Sequence, residues 1–375
     1  MNKYIFLVII IIHIYIQITS NIYANFMHYD ENNRLFEFAA RINIDLTDTL
    51  DNKEKNLNDS SNYIPLEQFM YADTRLASLN GELPYKNTSI RPLPATIVGL
   101  SYTGLFLGQH FIQNSTIWKD KGCFQIIEDG KYALYVDKPG HIWGSYFVSY
   151  LGRDAFVVSG INWELSNILG AGLGLAYTTY IEILDGFGIN WGFSPSDFYA
   201  DVGGAVFFLA QHYITFLQNF TPKACYYPAN WYGELRRTGS ETFNDDYSSQ
   251  TFWLSINVHN LLPKDLKSYW PSWLELSIGY TARNLCDPMN YQCDPSRGRM
   301  FYDENGNPMV FGSPRFIIAL DYNLVKLLPD GGSFWNWMKQ TLNFWKFPSP
   351  AIEIGEEVRF FLLYPFTINI GNIRF

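Results

Sequence analysis

The sequence predicts an α+β protein, with a membrane-associated helical core followed by a C-terminal antiparallel β-sheet or partial barrel. Three observations lead there. Between Pro94 and Phe220 the chain holds four apolar stretches of helix length. After about Pro222 the pattern turns to period-two alternation, as in Thr251 to Val258. The aromatic share is 18% and the charged share only 17%, against about 25% charged in an ordinary soluble domain. Tyr and Trp in such numbers suit a membrane interface, where their rings sit at headgroup level. A soluble protein with a large aromatic core is the other reading.

Residues 1–24 read as a signal peptide. Lys3 supplies the positive start, Tyr4 to Ile18 the apolar run, and Asn21-Ile22-Tyr23-Ala24 the cleavage site. An uncleaved anchor is the alternative, because Ile22 fits the small-residue pattern only loosely. No cysteine follows the apolar run, so a bacterial lipid anchor is not expected there. Residues 25–93 form an N-terminal arm and polar linker. Asp45 to Asn62 is too polar to bury a core of its own. Phe69 to Pro94 is expected to hold a short helix and then a proline-containing loop.

Residues 94–222 form the helical core. Pro94 to Ile112 is apolar, opens on proline and has no formal charge before Lys119. Its length leaves a membrane span and a buried helix equally open. Helices are expected over His141 to Val158, Trp163 to Leu184 and Asp197 to Phe220, the last capped by Ser194 or Ser196. Gly170, Gly172 and Gly174 would each weaken an isolated helix by about 1 kcal/mol relative to Ala. Close helix–helix approach explains them better.

Residues 223–375 form the sheet region. Strands are expected over Thr251 to Val258, Trp273 to Thr281, Arg315 to Asn323, Glu357 to Leu363 and Thr367 to Phe375. Asn305-Gly306 centres a hairpin. Phe334 to Phe347, with Trp335, Trp337, Phe344 and Trp345, is either a membrane-interface segment or a loop packed on the sheet. Cys286 and Cys293 flank a short loop and read as a disulfide; Cys123 and Cys225 would pair by elimination. The terminal Phe375 suggests, by analogy with bacterial outer-membrane barrels, an address at the outer membrane or its periplasmic face. Membrane lipid is the expected partner. A net charge of -9 excludes a nucleic-acid binder.

Three polar knots punctuate the helical core: Asp137-Lys138-Pro139-Gly140-His141, Glu182-Ile183-Leu184-Asp185-Gly186, and Gly192-Phe193-Ser194-Pro195-Ser196-Asp197 followed by Asp201 and Gly204. In order and spacing they resemble the YfiM-like envelope family, domain of unknown function 2279. Its pattern runs Asp-Lys-x-Gly-His, Glu-x-x-Asp-Gly, Gly-Phe-Ser-x-x-Asp, then Asn or Asp before a Gly. Longer members of the Bacteroidetes and Chlorobi type are also similar around Asp246 to Ser255 and Pro348 to Glu353. A looser likeness joins the knots to VanZ-like membrane proteins. The resemblance implies an uncharacterised envelope protein and supplies no reaction. Two departures stand out: Asp201 replaces the usual Asn, and Ser248-Ser249 replaces an Asn-Gly.

The spacings carry their own chemistry. Asp137 with His141, Glu182 with Asp185, and Asp197 with Asp201 each share a helix face. Three helix ends could bring His141, Glu182, Asp185 and Asp197 together as a catalytic set, supported by Asp137, Lys138, Ser194 and Asp201. His141 would be the base, oriented by Asp137 or Glu182. The same groups suit a divalent metal ion, with His141, Glu182 and Asp185 as candidate ligands. The competing reading is structural: Asp137, Ser194 and Asp197 are ordinary helix-start residues, and His141 could fasten two helices through Glu182. Three functions follow, the first of them the expected one and the other two its alternatives. They are a structural or lipid-interacting envelope protein, a metal-assisted hydrolase or transferase for a lipid or glycan headgroup, and a ligand-binding or transport accessory. Convergent carboxylates facing a cavity would favour the second.

Overall fold

The computed structural model describes residues 62–370 and 373–374, the last four positions of β10 and β11 by backbone alone. The expected signal peptide, most of the polar linker and the terminal Phe375 lie outside the described residues.

Four helices form one layer: α1 (Pro92–Ser115), α2 (Asp137–Val158), α3 (Trp163–Asp185) and α4 (Pro195–Tyr213). Their starts follow sequence chemistry. Pro92 opens α1, where a missing N–H costs nothing. Asn162 accepts from Leu165 N at 2.8 Å, and Ser194 Oγ from Asp197 N at 3.3 Å. Helix α2 begins at Asp137, four residues before the expected start, so the first knot lies inside its opening turn. Helix α4 stops at Tyr213, because Phe220 is already committed to a strand. The expected short helix after Phe69 is absent. A hairpin of β1 (Met70–Tyr71) and β2 (Thr74–Arg75) replaces it, held by Phe69 edge-on to Trp163 at 5.3 Å.

Glycines set the spacing in this layer. A Cβ on Gly170 would lie 2.7 Å from Ser149 O, and one on Gly174 2.4 Å from Ser145 O, so α3 packs backbone to backbone against α2. Gly204 brings α4 onto α2 in the same way, 2.3 Å from Ile142 O. Gly172 faces open space. Helix α1 buries only Gln113. No helix among the described residues is long and apolar enough to cross a membrane.

The second layer is a seven-stranded antiparallel sheet of β3 (Phe220–Tyr226), β4 (Gln250–Ile256), β5 (Leu274–Cys286), β6 (Arg299–Tyr302), β7 (Pro308–Tyr322), β8 (Ala351–Ile354) and β9 (Val358–Phe361). The order is β3-β4-β5-β7-β8-β9, with β6 beside the start of β7. Gly306, at φ 84°, turns the chain from β6 into β7 at the expected Asn-Gly. Two short strands, β10 (Asn369–Ile370) and β11 (Ile373–Arg374), pair with each other. Strands β3 and β8 were not anticipated; β3 buries five consecutive residues and so shows no alternation.

The sheet is strongly curled. Lys223 on β3 reaches Asp321 on β7, three strands away, at 3.1 Å. In a flat sheet those strands would stand about 14 Å apart. The concave face buries charges beside an apolar cluster: Lys223, Glu275, Arg315 and Asp321 are ion-paired there, Arg283 donates to Ser248 O, and Cys225, Trp253, Ile317, Ala319, Ala351 and Phe361 pack among them. The helical layer covers one end of the opposite face, where Gly140 meets Phe252 and Tyr280 donates to Leu134 O at 2.6 Å. The aromatic segment after Phe334 is part helix and part loop: residues 344–346 run along β3, with Ala224 N donating to Phe344 O and Lys346 N to Ala224 O. Its first part is α5 (Ser333–Leu342), which docks on α2 with Trp337 donating to Asp154 at 2.7 Å. Phe344 then lies against Tyr150, with ring centres 4.5 Å apart.

The Cys286–Cys293 disulfide is present, closing the loop after β5. The expected Cys123–Cys225 pair is not: Cys123 is exposed before α2, while Cys225 is buried in β3 beneath Trp253. Thiol titration should therefore find one reactive thiol in the native protein and a second only after unfolding. At the helix contact, Gly174→Val should cost about 3 kcal/mol or more by overpacking. Gly172→Ala should instead add roughly 0.5–1 kcal/mol. Urea unfolding of both variants checks this.

Candidate functional site

The three knots meet where the start of α2, the end of α3 and the start of α4 converge. Asp137, Lys138 and His141 come from α2, Glu182 and Asp185 from α3, and Ser194, Asp197 and Asp201 from α4. Asp137 and Asp197 sit in first helical turns, where the helix dipole favours a negative charge. Glu182 stands at the unfavourable end of α3 and is compensated by the Ser194 backbone N–H at 3.2 Å.

The cluster divides into two halves. In one, the Lys138 ammonium contacts Asp129 at 2.7 Å, Asp137 at 3.0 Å and Asp197 at 2.5 Å. Asp129, in the turn before α2, also accepts from Ser194 Oγ at 2.6 Å. In the other half, His141 Nδ1 lies 3.0 Å from Asp201 Oδ1. Its Nε2 faces Asp197 Oδ1 at 3.6 Å and Glu182 Oε1 at 3.7 Å. Asp197 belongs to both halves. The orienting partner of His141 is thus Asp201, not the expected Asp137 or Glu182. Asp185 also stands apart, accepting from the Trp118 indole at 2.5 Å.

Asp137, Glu182, Asp197 and Asp201 are all buried, while the His141 side chain is 21% exposed. Burial, reinforced by the Asp197 charge, pushes Asp137 up to about 7. Burial, eased by His141, pushes Glu182 up to about 8. Burial raises Asp197 and Asp201 as well. For His141 burial opposes the charge, but the Asp201 hydrogen bond and the nearby carboxylates win and hold its imidazolium up to about 10. Asp201 Oδ2 is fully buried and has no hydrogen-bond partner among the described residues. Two groupings have ligand atoms close enough to share a metal ion: His141 with Glu182 and Asp201, and Asp129 with Asp137 and Asp197. Lys138 already fills the second.

His141, Asp137 and Asp185 line a cavity of about 350 Å³ between the helices and the sheet, with Gln109, Gln113, Thr178, Asn244, Asp245 and Gln250 also on its wall; Glu182 and Asp197 are not among its lining. Its other walls are largely aromatic, among them Trp143, Phe147, Tyr247, Phe252 and Trp345. Sequence reasoning missed Asp129 and Trp118. Asp129 was legible only as half of the Asp129-Gly130 turn, and nothing in the spacing tied Trp118 to Asp185.

Burial raises Asp185 to about 7, against the opposing Trp118 bond. A carboxyl raised on folding costs stability as pH climbs from about 4 to about 7, because only the unfolded chain ionises freely there. Asp185→Asn keeps an acceptor for Trp118 and removes the titration. Its thermal midpoint should fall less than that of the wild type between pH 5 and 8, by a few degrees. Parallel melting curves would show an equal fall if Asp185 is not held protonated.

Residues 120–211 match the model of a family described as predicted periplasmic lipoproteins (DUF2279). That span is about a quarter of the chain. It contains all three knots together with Asp129, and leaves out the sheet. No curated protein and no solved structure matches the chain. The family description supports a place in the cell envelope, and it attaches no specific activity to the residues that converge on His141.

Proposed function

We propose that this chain is an envelope enzyme, a cation-assisted hydrolase or transferase acting on the polar headgroup of an amphiphile at the periplasmic face of the outer membrane. The observation that carries the reading is the position of His141 Nε2. It faces Glu182 and Asp197 at 3.6–3.7 Å, beyond hydrogen-bond reach. That gap is close to the separation of two ligands on one small divalent ion, about 3–3.4 Å for bonds of about 2.1 Å.

The surroundings support it. Asp201 on Nδ1 fixes the imidazole so that Nε2 points at the carboxylates, the arrangement that metal-bound histidines use. Lys138 partly offsets the neighbouring acidic trio, and a divalent ion at His141 would displace the protons that His141 and Glu182 otherwise hold. The aromatic cavity beside His141 accommodates an apolar tail while the head stays at the polar wall. A bound divalent ion would polarise a headgroup oxygen and activate water. Asp137, raised to about 7, lines the same cavity and can deliver a proton to a leaving group. Export through the N-terminal signal would bring the chain to this address.

Elemental analysis of protein purified from envelope without chelator tests the reading. About one equivalent of a divalent metal is expected, lost in His141→Ala. Asp201→Asn should weaken retention by about 10–100-fold, as loss of an orienting partner does. A metal-free wild type, with His141→Ala merely less stable, would make the cluster a helix fastener and end the proposal.

A further inference from the structure

The concave side of the curled sheet buries charges together with an apolar cluster, and its convex side, beyond the part covered by the helices, exposes apolar side chains. The strand register makes this continuous. Leu254 on β4 stands opposite Ile278 on β5, Ile278 opposite Ile318 on β7, Ile318 opposite Ile352 on β8, and Ile352 opposite Phe360 on β9. This single row crosses five strands with each side chain 38–52% exposed. The next row runs from Phe316 to Ile354 to Val358, all exposed, the last by 72%. Apart from Tyr280, which stands opposite Phe316 and turns its hydroxyl to Leu134 O, neither row contains a polar side chain.

We infer that this convex face is a lipid-contact surface, seated against the acyl chains of a membrane. Four physical arguments converge on that occupant. A patch spanning five strands, roughly 19 Å across at strand spacing, is wider than an ordinary soluble surface leaves bare. Protein partners use about one hydrogen bond per 100–200 Å² of interface, and beyond Tyr280 these rows offer no side-chain donor or acceptor. Beneath Leu254, Ile278, Ile318 and Ile352 the strands are flanked on both sides by other strands, so this part of the face can be dehydrated without orphaning its backbone groups. Finally, the band ends in an aromatic rim. Leu274 pairs with Tyr322 one step beyond the row of Leu276 and Leu320, and Trp273 stacks on Tyr322 at 6.4 Å. Tyr269, four residues before Trp273 in the chain, is 83% exposed. Such rings favour headgroup depth.

The inference is independent of the His141 site, so either can fail without the other. It is tested by floating the chain, as recovered from the envelope, on sucrose gradients with phosphatidylethanolamine–phosphatidylglycerol vesicles. Wild type should float. Ile278→Glu combined with Ile318→Glu places two charges mid-row and should lower the bound fraction at least about 10-fold, given what charge costs on a lipid face. Leu235→Glu, exposed in the connection between β3 and β4, should float as wild type does. Ile352→Ser with Phe360→Ser, a milder pair, serves if the first variant does not fold, and should also reduce binding. A wild type that stays in the aqueous fraction, or folded variants that float equally well, would overturn the inference. So would a lipid-free wild-type dimer that the double variant splits while vesicles remain unbound, since the face would then belong to a second copy.

Discussion

The Lys138 ammonium is the contact on which the rest of the helical layer depends. It gathers Asp129 from a loop, Asp137 from α2 and Asp197 from α4 around one positive charge. Those carboxylates are otherwise like charges in a poorly hydrated place, where mutual repulsion and lost solvation would drive the helix starts apart. With Lys138 in position, the opening turns of α2 and α4 lie side by side. His141, one turn further on, then meets Asp201 in register. The half of the cluster that resembles a fastening thus makes possible the half that resembles a site.

Much of this was legible in the chain. The knots mark helix ends because Asp, Ser and Pro start helices and Gly stops them, and the structure uses Ser194 and Pro195 in that way. The change from helices to strands after Pro222 is visible because side-chain period follows backbone geometry. The partners within the site were not legible. Spacing places Asp137 and His141 on one face, yet it cannot tell that Lys138 will occupy Asp137 and leave His141 to α4. Asp201, expected only in a supporting role and as a partner of Asp197 on one helix face, became the residue that orients the imidazole.

The sheet teaches a related lesson. Alternation in β4, β5 and β7 identifies strands, but period two has no sign. It separates two faces without saying which is inside. The short polar side chains Ser255 and Ser277 and the charged Glu275 and Asp321 alternate with Leu, Ile and Phe. An aqueous sheet would bury the second set. Here the curl turns the first set inward, where Lys223 and Lys346 answer the acids. The aromatic run after Phe334 is the converse case, since its Trp-rich composition suggested an interface and α2 claims it for packing.

The glycine contacts have a consequence for ion choice. Gly174 and Gly204 leave no slack between α2 and its two neighbours, so the backbones that carry His141, Glu182 and Asp197 would resist moving apart to fit a larger guest. A collar on flexible loops adapts its radius and accepts calcium at 2.3–2.6 Å, as oxygen-rich loop sites generally do. A collar on three helices welded at their backbones acts as a gauge of fixed bore. Its discrimination would come from the size of the hole rather than from the strength of the ligands, with the 3.6–3.7 Å reach from His141 Nε2 to Asp197 and Glu182 as the bore.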